Sequence, residues 1–176
     1  MIYLIGSAPR TGKSQIAQRI LENKHIPYES VDVIFHMLRQ AQPSLGITHT
    51  IPHKERAERF YPYLKEFINV TKDVFENYTI EGDSFFPSQV HEIQKLYEVK
   101  VCFLGFSHIE LDSIVSHIGS HKWIQKLSDE ELKELPQHII EVSQQFKEEC
   151  QKFNMTFFDL STDYYGQIKK AYEFLI

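Results

Sequence analysis

The sequence predicts a three-layer α/β domain built on a parallel sheet. Five short apolar runs alternate with stretches of helical periodicity along the whole chain. The first two runs and the helix between them fit within about 30 residues, the size of a βαβ unit with parallel strands. Small polar or acidic residues directly follow several of the runs. In an open parallel sheet these positions form the carboxyl rim, where ligands bind.

The first strand is expected at Ile2–Ile5 and stops at Gly6. A turn-forming stretch follows, Ser7-Ala8-Pro9-Arg10-Thr11, and then Gly12-Lys13-Ser14. Ile16, Ala17, Ile20 and Leu21 then recur on one helical face, ending near Asn23–His25 before Pro27. Strand, loop and helix N-terminus in this order make a phosphate-binding P-loop. A triphosphate needs many donors in a small volume. The backbone N–H groups of a tight loop supply them, with the unpaired amides and positive dipole end of the helix behind. Gly12 permits close backbone approach. Lys13 brings a point charge to the terminal phosphates, and Ser14 offers a hydroxyl to Mg²⁺. Ala8, Pro9, Arg10, Thr11, Gly12, Lys13 and Ser14 are therefore the candidate ATP-phosphate residues. The usual pattern, G-x-x-x-x-G-K-[ST], has Ser7 at its first position here, with Gly6 one residue early. Either Gly6 makes the turn or Ser7 fits its geometry.

A second strand around Tyr28–Val31 leads to Asp32 and a helix over 32–41. Residues 42–52 carry two prolines and a glycine and read as a loop. Residues 53–77 show a long helical pattern that Pro62 kinks or divides. Tyr78–Gly82 is the third strand, ending at Asp83. A helix over 88–98 and the β-branched run Val99–Leu104 follow. Residues 108–118 are helical, and 120–127 look exposed. Ser128 and Glu131 form a capping box for a helix reaching about Phe153. Met155–Leu160 is the fifth strand, and Ser161 or Thr162 caps the last helix.

Length and composition narrow the function. The 176 residues, 42% apolar, suffice for one domain with a real core. The net charge of −5 gives no electrostatic footprint for nucleic acid. No apolar run approaches the roughly 18 residues of a membrane span, and the N-terminus lacks a signal-peptide pattern. Cys102 and Cys150 form no metal or redox motif, and such sparse cysteine suits a reducing, cytoplasmic setting. Oligomeric state is left open.

Asp32 could take a proton from an attacking hydroxyl, or simply cap the helix that follows. Asp83 could orient Mg²⁺ through water or hold a substrate group, or serve as a turn residue. Glu81, two residues earlier, points to the same side of an extended strand. Arg39, Arg56 and Arg59 are candidates for binding an anionic part of an acceptor, against a solvated face paired with Glu55 and Glu58. Arg56 and Arg59 are spaced to share a helix face. No arginine follows Arg59, so late cationic help rests on residues such as Lys122 beside Trp123. The nine histidines read as surface or capping residues.

The stretch Leu4–Ser14, the Val31-Asp32 pair and Thr79-Ile80-Glu81-Gly82-Asp83 together resemble the small P-loop kinases. This is the nucleotide-kinase-like group of adenylate, shikimate and gluconate kinases, chloramphenicol phosphotransferase and 2-phosphoglycerate kinases. The resemblance implies a P-loop NTPase fold with a five-stranded parallel sheet in the order 2-3-1-4-5. It also implies a substrate-binding region over about 33–77 and a lid over about 119–128. The implied activity is ATP- and Mg²⁺-dependent phosphoryl transfer to a small hydroxylated acceptor. Lys13 would meet the β/γ-phosphates, Ser14 the Mg²⁺, Asp32 the acceptor hydroxyl and Lys122 the lid side. The loop serine and the arginine-free lid depart from the group's pattern. They keep a second expectation in view, a nucleotide-binding regulatory or interaction protein.

Overall fold

A computed structural model describes residues 1–48, 50–116 and 124–176. Five strands alternate with helices: β1 (Ile2–Ser7), α1 (Lys13–Lys24), β2 (Tyr28–Ser30), α2 (Val31–Ala41), α3 (His53–Val74), β3 (Tyr78–Gly82), α4 (Pro87–Gln94), β4 (Val99–Gly105), α5 (Leu111–Ser116), α6 (Asp129–Lys152), β5 (Thr156–Asp159) and α7 (Tyr164–Leu175). The strands form one sheet in the order β2-β3-β1-β4-β5. Every neighbouring pair is parallel. This is the expected α/β architecture in the expected order.

β1 lies at the centre because it is the most completely buried strand. Leu4 and Ile5 are fully enclosed, and β1 pairs with β3 on one side and β4 on the other. Helix faces cover the sheet with Ile16, Ala17 and Ile20 from α1, Phe60, Leu64 and Ile68 from α3, and Ile139, Val142 and Phe146 from α6. Full burial of each large apolar side chain contributes about 1.5–3 kcal/mol.

The register aligns the rim. Gly6 of β1 pairs with Gly82 of β3, and Ser30 of β2 with Glu81. The chain therefore leaves β1, β2 and β3 at one level, carrying the β1–α1 loop, Asp32 and Asp83 to a common edge. Gly82 assists this. A Cβ there would run into Val31 of α2, so only glycine lets the first turn of α2, with Asp32, settle against the end of β3. Gly6 has a different task. It lies inside β1, and a Cβ on it would strike the Phe103 ring of β4. Ser7 occupies the first loop position, fully buried, with its hydroxyl donating to the Ala8 carbonyl at 2.9 Å.

Several boundaries differ from expectation. Pro62 neither breaks nor divides α3, which runs unbroken from His53 to Val74. Pro62 has no N–H to donate to the Glu58 carbonyl, and both residues are exposed. Asp163 caps α7 through the Gly166 amide at 2.9 Å, because Ser161 is engaged with Asp159. Ser30, not Asp32, stands at the N-cap of α2. Ile124, expected on an exposed segment, is buried. The Ser128–Glu131 capping box is present in both directions, at 3.3 and 2.8 Å. No helix among the described residues is long and apolar enough to cross a membrane.

Candidate functional site

The loop between β1 and α1 is tight because two of its residues are left-handed, Arg10 at φ 68° and Gly12 at φ 82°. Glycine adopts that conformation freely, whereas arginine is strained by it. The loop is also tied to itself and to the sheet. The Thr11 hydroxyl donates to the Ala8 carbonyl at 3.1 Å, and the Ala8 amide donates to Leu104 in β4 at 3.1 Å. Ala8 and Thr11 are buried, while Pro9 and Arg10 are half-buried. Gly12 is the N-cap of α1 without side-chain capping, so Lys13 and Ser14 open the helix where its amides lack intrahelical partners.

Lys13 is the hub of the rim. Its Nζ lies 3.5 Å from Asp32 Oδ2 and 3.7 Å from Glu81 Oε2, and its side chain is only 12% exposed. Burial alone would lower the ammonium pKa. Asp32, Glu81 and Asp83 outweigh burial and hold it above its ordinary value. The Ser14 hydroxyl donates to Glu81 Oε1 at 2.9 Å. Among the described residues Glu81 Oε2 is buried without a hydrogen bond, and Lys13 stands 3.7 Å from it.

The two aspartates diverge. Burial and the Asp83 carboxylate push Asp32 up to about 7 against the pull of Lys13. Burial would raise Asp83 too, but His53, Arg56 and Lys13, with the Ser84 hydroxyl, overcome it and hold Asp83 well below the usual carboxylate range. Arg56 Nη2 lies 3.3 Å from Asp83 Oδ2, and its guanidinium carbon stands 5.3 Å from the centre of the Phe35 ring. His53, at the start of α3, is buried. Burial keeps its pKa below the ordinary value, and its ring Nε2 meets the Asp83 backbone carbonyl. That carbonyl can only accept, so Nε2 carries the proton and donates. Asp32, with its side chain 38% exposed, is the most open of the carboxylates facing Lys13.

The structure thus brings together Lys13, Ser14, Asp32, Asp83 and Arg56. The other expected residues behave differently. Arg59 does not share its surroundings with Arg56. It lies on the surface, donating to Glu55 Oε1 at 2.6 Å and to the Gly46 carbonyl at 2.8 Å. Arg39 is half-buried in the last turn of α2, about 10 Å along the helix from Asp32. Lys122 and residues 119–123 of the region expected to form a lid lie outside the described residues. Two site residues were missing from the expected set. Glu81 was signalled by its two-residue offset from Asp83 on one strand. His53 carried no local signal, because its partner lies 30 residues away. It also departs from the surface or capping role expected of the histidines.

The donor set suits a hydrated Mg²⁺, a hard cation that prefers oxygen. Ser14 and Glu81 present oxygen atoms side by side, and one Glu81 oxygen lacks a hydrogen bond. Among the described residues no group of three or more His, Cys, Asp or Glu side chains could hold a metal ion. Such an ion would take its remaining ligands from phosphate and water.

No family model matches the chain, and no curated protein matches it. Solved structures do. A gluconokinase from Sinorhizobium meliloti 1021 is 12% identical with a TM-score of 0.58, covering 98% of this chain and 90% of that one. A shikimate kinase from Bacteroides thetaiotaomicron is 12% identical with a TM-score of 0.60, covering 98% and 94%. A shikimate kinase from Acinetobacter baumannii, in complex with shikimate, is 13% identical with a TM-score of 0.55, covering 96% and 88%. At such identities the likeness is one of fold. The chain has the fold of small-molecule P-loop kinases over nearly its whole length.

Proposed function

We propose that this protein is an ATP-dependent kinase of a small hydroxylated molecule. The observation that carries the reading is Lys13, placed in the first turn of α1 between Asp32 and Glu81, with Ser14 bonded to Glu81. The left-handed loop and the opening turn of α1 receive the phosphates. Lys13 exchanges its carboxylate partners for the terminal phosphates, in which negative charge is concentrated. Ser14 and Glu81 hold the Mg²⁺ side, with Asp83 reaching the ion through water. Bound Mg²⁺ supplies charge neutralisation on the phosphoryl oxygens.

Asp32 is the base. Its position near neutral pH matches a group that must be ionised to accept a hydroxyl proton and still hold one afterwards. As it takes the proton, the acceptor oxygen bonds to phosphorus and the bond to the ADP oxygen breaks. Arg56 and His53 position Asp83. Residues 33–77 would form the acceptor side, with Arg39 available to an anionic group.

The test is calorimetric titration of Mg·ATP into wild type and Lys13→Ala, paired with ADP release over a panel of nucleotides, sugars and hydroxy acids. Binding lost in the variant, and one acceptor that raises ADP release, support the reading. Tight Mg·ATP binding with no responsive acceptor favours a second one, a nucleotide-binding regulatory protein. The absence of arginine after Arg59 motivates that alternative. A partner retained only in the presence of ATP would support it.

A further inference from the structure

The phosphate loop is braced from outside at its left-handed Gly12, and the brace is Tyr164. Tyr164 opens α7, on the far side of the sheet from Asp32 in strand order. Its hydroxyl occupies the place where a Cβ on Gly12 would sit, and Ile168 of α7 closes in beside it. Arg10 is tied at 3.4 Å to the Ile114 carbonyl of α5. The Tyr164 ring is itself fixed, lying parallel to Phe106 within 7° at 6.5 Å and edge-on to Tyr165 at 5.2 Å.

Strained backbone persists only where its surroundings over-determine it. Arg10 at φ 68° is the strained residue and Gly12 at φ 82° completes the left-handed turn, and Tyr164 packs against Gly12. Successive amides held in such a turn make an anion-binding concavity, and its affinity depends on the turn being formed beforehand.

Resting on the kinase reading above, we infer that Tyr164 is a positioning residue that preforms the phosphate loop, acting on the phosphates through its packing against Gly12 without touching them. The consequence is specific. Loss of Tyr164 weakens any polyphosphate ligand by the same factor, with or without a nucleoside attached.

The experiment is calorimetric titration of ATP and of inorganic tripolyphosphate, each with Mg²⁺, into wild type, Tyr164→Phe and Tyr164→Ala. Tyr164→Ala should weaken both ligands by a common factor of about ten, and Tyr164→Phe by about three, through loss of the hydroxyl's packing against Gly12 alone. Tyr164→Phe keeps the ring packing, so the inference stays testable if the alanine variant fails to fold. Weakened ATP with unchanged tripolyphosphate would overturn it, showing that the ring serves the nucleoside. Unchanged affinity for both ligands in the phenylalanine variant would also overturn it. Failure of wild type to bind either ligand would instead remove the kinase reading, and this inference with it.

Discussion

Two strand-end carboxylate clusters lie on the same rim, and they are built in opposite ways. Beyond β1, β2 and β3, Asp32, Glu81 and Asp83 gather around Lys13 and Arg56 at 3.3–3.7 Å. Beyond β4 and β5, Asp159 Oδ1 accepts from the Ser107 amide at 3.2 Å, the Ser161 amide at 3.2 Å and the Ser161 hydroxyl at 2.6 Å, while Lys147 stands 3.6 Å from Oδ2. The Ser161 hydroxyl in turn receives the His108 amide at 3.0 Å. The second cluster is held by fixed donors, and although burial works the other way, the Ser161 and Ser107 side chains, helped by the backbone amides of both residues, pull Asp159 down to about 2. In the first, cations serve several carboxylates at once, and Asp32 is left near neutral pH. A carboxylate whose partners can be exchanged is available for chemistry. One locked by amides holds two loops together.

The largest effect that would break this contrast is at Lys13. Lys13→Ala should lower phosphoryl transfer by about 10³-fold, read as initial rates of ADP release. A rate near wild type would mean that the first cluster is as structural as the second. Asp32→Asn keeps the shape and removes the base, so kcat should fall by about 10²-fold while Mg·ATP affinity stays nearly the same. In wild type, kcat/KM should rise as pH increases through about 7, where Asp32 loses its proton in the free enzyme. A profile flat between pH 6 and 8 would assign the base elsewhere.

Glu81→Gln sharpens the contrast further. The amide can still accept from Ser14 but no longer offers charge to Lys13 or to a metal, so half-maximal activity should need about tenfold more Mg²⁺. The smallest effect on turnover belongs to the other cluster. Asp159→Ala should leave kcat unchanged and cost about 2 kcal/mol of stability, measured by urea unfolding. Because the folded pKa is depressed from 3.8 to about 2, this contribution is complete above about pH 4 and fades as pH falls toward 2. A loss of turnover in folded Asp159→Ala would place chemistry on both halves of the rim.

The sheet and the loop were legible because their signals are local. Periodicity marked the five strands, and Gly12-Lys13-Ser14 after an apolar run marked the phosphate loop. Asp32 and Asp83 were legible from a rule about strand ends. What escaped depended on distant packing. Nothing near Gly6 in the sequence announces Phe103, which is what demands a glycine there, so its adjacency to the loop suggested a turn. Arg56 and Arg59 share a spacing, yet only Arg56 turns inward, because Asp83 and Phe35 receive it while Glu55 and Gly46 hold Arg59 at the surface. His53 needed the end of β3 beside the start of α3, a juxtaposition only the fold supplies.

The central claim is that this rim transfers a phosphoryl group with Asp32 as base. Its most direct test is ADP release with saturating Mg·ATP, with and without each acceptor of the panel, in wild type and Asp32→Asn. The expected result is an acceptor that raises the wild-type rate above its acceptor-free level, with that increment lost in Asp32→Asn although Mg·ATP still binds. An increment of equal size in both proteins would contradict the role given to Asp32, and no increment with any acceptor would contradict the transfer itself.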